Sequence, residues 1–218
     1  MVDVQHQVQA VTRRYRTEDR EGEASHVQTL TQTYPAPLED VWEAVTSGER
    51  IARWFLPVTG DLRRGGHYQL EGNAGGTILE CTPPDGDTAG YRVTWEFGGG
   101  VSWVSVRLQA EGDATQFELE HVARVAQMPE QMWDTYGPGA TGVGWDGGLL
   151  GLGLHLGATE GSLSPAEAAA WAATDEGRAF YRASAQAWAA AHAESGADPE
   201  LTARNAEATY SFYTGAGM

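Results

Sequence analysis

The sequence predicts an α+β domain: an antiparallel β-meander covered on one face by a glycine- and leucine-rich helix, with a further helical extension behind it. Three observations predict it. From residue 61 to 123 the apolar residues recur with a period of two, broken at near-regular intervals by turn-forming clusters. Beyond Trp145 the period becomes helical. The last 60 residues then hold 19 alanines, a composition suited to helices.

The elements follow in order. Residues 1–23 are polar, with Arg13, Arg14, Arg16 and Arg20 among Glu18, Asp19, Glu21 and Glu23, and read as a solvated arm. His26–Tyr34 is rich in β-branched residues and stops at Pro35, as a strand should. Pro37–Val45 opens with proline and two acids and carries Leu38, Val41, Trp42 and Val45 at helical spacing. A second short helix begins near Glu49 and delivers Ile51, Trp54 and Phe55 to the interior, where the two aromatics read as core. Strands are expected at 67–72, 77–82, 91–97, 102–110 and 115–123. Alternation places Tyr91, Val93, Trp95 and Phe97 on one face with Val104, Val106, Leu108, Phe117, Leu119 and His121. Arg92, Glu96, Arg107, Glu118 and Glu120 fall on the wet face.

The greasy face needs a cover, and residues 145–158 supply it. Trp145, Leu149, Leu152 and Leu156 form one apolar stripe. Beside it, Gly144, Gly147, Gly148 and Gly151 form a stripe without side chains, read as close backbone packing. In the tail, Ser164-Pro-Ala-Glu167 is a capping box with proline at the first helical position, and Asp198-Pro199-Glu200 repeats the cap-proline-acid logic. The chain thus divides into a polar arm (1–23), a main domain (24–158) and a helical extension (159–218).

Composition excludes several functions. All 14 cationic side chains are arginines, so lysine-based Schiff-base, pyridoxal and phosphate-loop chemistry is absent. The net charge of −16 repels nucleic-acid backbones and anionic membranes. No apolar run approaches the roughly 20 residues of a membrane span, and the start carries no signal-peptide pattern. One cysteine, Cys81, suits a reducing cytoplasm. Gly137-Pro-Gly-Ala-Thr-Gly142 matches a dinucleotide fingerprint, but no strand precedes it and no βαβ unit surrounds it, so it reads as a loop. The six histidines show no metal-ligand spacing; no metal or cofactor is expected.

Taken in order, Tyr34-Pro-Ala-Pro-Leu-Glu-Asp-Val-Trp42, Trp54-Phe55, Gly65-Gly66-x-Tyr68, Trp95, Thr115, His121 and Gly144-Trp145 resemble the activator-of-heat-shock-protein-90-ATPase homologue-like branch of the START/Bet v 1 (SRPBCC) superfamily, over about residues 26–158. The resemblance implies a helix-grip fold: a curved antiparallel sheet around a long C-terminal helix, with a cavity between them. It also implies that members mostly bind hydrophobic small molecules, a minority being polyketide cyclases or co-chaperones. No catalytic set transfers by position.

The concave face carries the candidate site. Tyr68, Trp95 and Trp145 are expected as aromatic walls of an apolar pocket. His121 shares a face with Phe117 and Leu119, and Glu80 one with Ile78, so both are expected to point inward as ligand contacts. A buried Glu beside a His is also an acid–base pair of the kind a polyketide cyclisation needs; the alternative is a satisfied core histidine and a rim carboxylate. The leading reading is a non-catalytic carrier or sensor of a small hydrophobic or aromatic molecule. Two others stay open: a cyclase-like enzyme using His121 and Glu80, and a co-chaperone-like interaction protein. No arginine on the expected strands faces inward, which favours an uncharged ligand. Aromatics such as Phe212 and Tyr213 in the tail point to a homodimer.

Overall fold

The computed structural model describes residues 1–215. Helix α1 (Val4–Ala10) leads into strand β1 (Thr12–Arg20), which pairs along its length with β2 (Glu23–Tyr34) across the Glu21–Gly22 turn. Glu21 and Gly22 both take positive φ, the geometry of a tight hairpin. Residues 1–23 are therefore not a solvated arm. The alternating arginines and acids instead serve an edge strand. Arg16 and Arg20 reach the outer sheet face and pair with Glu120 at 3.0 and 3.3 Å, while Tyr15 turns inward.

Two short helices follow, α2 (Leu38–Thr46), with Glu39 and Asp40 in its first turn, and α3 (Gly48–Trp54), with Glu49. Strand β3 (Val58–Gly60) precedes β4 (His67–Leu70), β5 (Gly75–Asp85), β6 (Thr88–Phe97), β7 (Gly100–Glu111) and β8 (Ala114–Arg124). The eight strands form one antiparallel sheet, ordered β1-β2-β8-β7-β6-β5-β4-β3. The two short helices carry the chain from β2 to the far edge at β3, and the meander returns so that β8, the last strand in sequence, lies beside β2.

That cover is α5 (Gly139–His155), which follows α4 (Glu130–Tyr136). Val104, Val106, Leu108, Phe117 and Leu119 of the sheet and Val143, Leu149 and Leu152 of α5 belong to one continuous core with Leu38, Val41 and Val45 of α2. This is the helix-grip fold that the strand faces and the leucine stripe predict.

The extension packs on the other side of α5. Helix α6 (Pro165–Trp171) starts on the expected Ser164/Glu167 capping box. In α7 (Asp175–Glu194) one face is inward: Ser184, Trp188 and Ala191 are buried, with Trp188 fully so. In α8 (Pro199–Thr214) Asp198 caps the backbone of Glu200 and Leu201. Ala185, Trp188, Ala191 and Ala206 join the same core as the sheet. Of the two tail aromatics read as pointing to a homodimer, Phe212 is exposed, but Tyr213 is not: it stacks on Tyr181 at 5.5 Å and donates to the Ala140 carbonyl.

Of the expected glycine stripe, Gly144 and Gly151 are closely packed, against the Tyr213 hydroxyl and the Trp54 backbone, whereas Gly147 and Gly148 are not; two further glycines of α5, Gly139 and Gly142, are. A Cβ at Gly142 would overlap the Trp188 ring, one at Gly139 would meet Thr209, and one at Gly151 the Trp54 backbone. The close approach is thus to α3, α7 and α8 rather than to the sheet. Gly139 and Gly142 of the apparent dinucleotide fingerprint are used the same way, inside a helix that follows another helix.

Candidate functional site: an apolar cavity under the long helix

Between the sheet and the α3–α5 pair lies a cavity of about 150 Å³. β4, β5 and β6 supply Tyr68, Ile78, Cys81, Val93 and Trp95; α3 and its C-cap supply Trp54 and Phe55; α5 supplies Trp145 and Leu149. Among the described residues no charged side chain lines it. Three polar side chains at its edge have partners within the protein: Tyr68 OH donates to the Thr94 carbonyl at 2.7 Å, Thr46 Oγ1 to the Trp42 carbonyl at 2.6 Å, and Trp54 Nε1 to the Ala44 carbonyl at 2.9 Å. Burial raises the Tyr68 and Tyr91 hydroxyls above the ordinary phenol range, so both stay neutral.

Tyr68, Trp95 and Trp145 are brought together as expected. Trp54 and Phe55, expected as core, are half-buried and form part of the wall. Trp95 and Trp145 meet edge to face, 4.8 Å apart.

Glu80 does not belong to the site. Its register partners show why: Ile78 lies opposite Val93 and Glu80 opposite Arg92, so Leu79 is an extra residue in β5. This β-bulge inverts the alternation beyond it. Ile78 and Cys81 face the cavity, whereas the Glu80 side chain is 65% exposed on the outer face, 3.8 Å from Arg92. The expected pairing of Glu80 with His121 is therefore absent.

His121 is inward and buried, and its hydrogen bonds fix its chemistry. His121 Nδ1 lies 3.2 Å from the Trp145 indole N–H, which can only donate, and 3.3 Å from Gln28 Oε1, which can only accept; the closer, well-aligned indole makes Nδ1 the acceptor. The proton then sits on Nε2, which donates to Ser102 Oγ at 2.9 Å, and Ser102 donates onward to the Trp95 carbonyl. Burial lowers the imidazole pKa to about 4, so the ring is neutral at pH 7. Both nitrogens are engaged. His121 positions Trp145 rather than presenting a free base.

A second buried polar group escaped the sequence reading. Asp146, 1% exposed, accepts from Arg13 Nε at 2.9 and 3.1 Å, from Trp188 Nε1 at 3.1 Å and from Ser184 Oγ. Arg13 is also buried and donates to the Val8 and Val11 carbonyls. The network ties β1, α5 and α7 together, directly behind Trp145. Its one sequence signal is a single acid within the Gly/Leu stretch of α5, which needs a partner. Among the described residues no cluster of three or more His, Cys, Asp or Glu able to hold a metal occurs, and no helix is long and apolar enough to cross a membrane.

Comparison with known proteins places this geometry among relatives. Residues 35–149 match the family model described as activator of Hsp90 ATPase homolog 1-like protein. The crystal structure of CalU16 from Micromonospora echinospora is 32% identical, spans 86% of this chain and 99% of its own, and superposes with a TM-score of 0.64. The solution structure of CalU16 gives 34% identity over 85% and 97%, with a TM-score of 0.65. An Hsp90 activator from Plasmodium falciparum is 23% identical over 47% of this chain and 74% of that one; its TM-score of 0.40 is too low to bear on function. No curated protein matches the sequence. The CalU16 match reaches well beyond residues 35–149, so it includes parts of the flanking segments.

Proposed function

Since the chain belongs to the activator-of-Hsp90-ATPase homologue 1-like family, within the SRPBCC fold, we propose that it binds a small, uncharged, hydrophobic or aromatic molecule in the cavity under α5, as a carrier or sensor rather than a catalyst. One observation carries the reading. The cavity is lined almost wholly by apolar side chains, and its polar groups on Tyr68, Thr46 and Trp54 already have partners. An apolar cavity of about 150 Å³ has the volume for a benzene-sized guest. A charged or strongly polar ligand would leave its own groups unpaired there, at about 1–3 kcal/mol per neutral group. The same geometry argues against acid–base catalysis, since His121 is engaged at both nitrogens and Glu80 is on the opposite face.

Cys81 provides the test. It is the sole cysteine and lines the cavity. Saturating toluene should slow its modification by a small maleimide at least several-fold. An unchanged rate, with the thiol reactive in the free protein, would refute the assignment.

A further inference from the structure

The inner cavity ends at an aromatic partition. Trp95, Trp145 and Phe55 line it on one side, and on their other side they line a second hollow of about 350 Å³. The outer hollow is floored by Ala140, Thr141 and Gly144 of α5 and walled by Tyr213 of α8. Its rim carries exposed apolar side chains: Phe97, 62% exposed, Val101 at the β6–β7 turn, and Met132 on α4. Several of its polar members are engaged elsewhere. Thr141 donates to Gln28, His121 holds Ser102 and Trp145, and Arg124 pairs with Glu23 while stacking over Trp103.

We propose that the two hollows are halves of one site for an elongated, uncharged ligand with two aromatic parts, and that the C-terminal extension completes the outer half through Tyr213. The proposal rests on the cavity assignment above and extends it. Alone, the inner cavity is smaller than the roughly 300–1,000 Å³ of sites for drug-sized ligands; together the two fall within that range. The glycines of α5 next to the partition leave it uncrowded. A Cβ at Gly147 would have no neighbour within 4 Å, and one at Gly148 would only touch Phe55 at 3.8 Å, so α5 presents a smooth surface beside the aromatic wall. Trp145 is tethered on the outer side by its single indole hydrogen bond to His121. The outer half also depends on a residue beyond the matched 35–149 segment, which gives the extension a role in ligand selection.

The test uses two probes on the full chain. Toluene reports the inner half through protection of Cys81; N-phenyl-1-naphthylamine, neutral with two aromatic parts, reports the whole site by its fluorescence. Ala140→Leu fills the outer hollow and should weaken the naphthylamine about tenfold while toluene protection persists. Phe97→Ser, at an exposed rim position that cannot disturb the core, should weaken it several-fold in the same direction. Val93→Phe fills the inner half and should weaken both probes. Naphthylamine binding unchanged in both Ala140→Leu and Phe97→Ser would overturn the proposal. So would binding unchanged in Val93→Phe, which would make the hollows independent. If toluene fails to protect Cys81 in the unmodified protein, the inner-cavity assignment falls, and the naphthylamine series still decides whether the outer hollow binds.

Discussion

Asp146→Ala is the perturbation whose effect the structure specifies most fully. It removes a carboxylate that is 1% exposed and leaves the Arg13 guanidinium, 6% exposed, without its counter-charge. Breaking a buried ion pair from one side costs about 3–5 kcal/mol. The Ser184 hydroxyl and Trp188 indole N–H also lose their acceptor, adding about 1 kcal/mol or more each. Against a total stability of about 5–15 kcal/mol, that undocks α7 or unfolds the chain at ambient temperature. The pair itself is not a net gain over apolar packing: burial raises the Asp146 pKa despite Arg13 beside it. Arg13→Met with Asp146→Leu should therefore recover most of the loss, or exceed the original stability. Urea denaturation followed by circular dichroism and tryptophan emission measures both variants. A loss under about 1 kcal/mol for Asp146→Ala, or a double variant as unstable as the single one, would refute the reasoning.

Other outcomes follow from the same contacts. His121 and His26 both titrate near pH 4 when folded and near 6.5 when unfolded, so the unfolded chain takes up protons first as the pH falls. Stability should be complete above pH 6.5 and decline between 6.5 and 4, by about 1.4 kcal/mol per pH unit for His121, with His26 adding in the same direction; urea midpoints from pH 7 to 5 that do not fall would contradict this. Gly142→Ala pushes a methyl into the Trp188 ring and should cost about 1–3 kcal/mol, whereas Gly147→Ala meets open space and should gain up to about 1 kcal/mol of helix propensity. Melting temperatures should move in opposite directions for the two; movement in the same direction would contradict the packing. Trp145→Phe removes the indole N–H and leaves His121 Nδ1 without that donor, so the toluene protection of Cys81 should weaken while the fold persists.

Much of the fold was legible because burial imposes a period. The alternation through Tyr91, Val93 and Trp95 placed β6, and the Trp145–Leu149–Leu152 stripe placed α5, because each element has one face on the core. β1 was not legible. An edge strand whose outward arginines pair with acids, and whose inward Arg13 serves a distant Asp146, carries no hydrophobic alternation. The walls Tyr68, Trp95 and Trp145 were readable from strand and helix phase. Glu80 was misplaced by a bulge at Leu79, which no residue type announces; the register shift appears only when β5 is paired with β6. His121 was placed on the right face, but its tautomer and role depend on Trp145, far away in sequence.

The central claim is that an uncharged ring binds between the sheet and α5. The most direct measurement is the anomalous diffraction of a crystal equilibrated with bromobenzene. The account predicts one strong bromine peak enclosed by Ile78, Val93 and Leu149, with Trp95 and Trp145 displaced little. An empty cavity at saturating bromobenzene, or bromine found only on the outer sheet face among Arg92, Arg107 and Glu120, would contradict it.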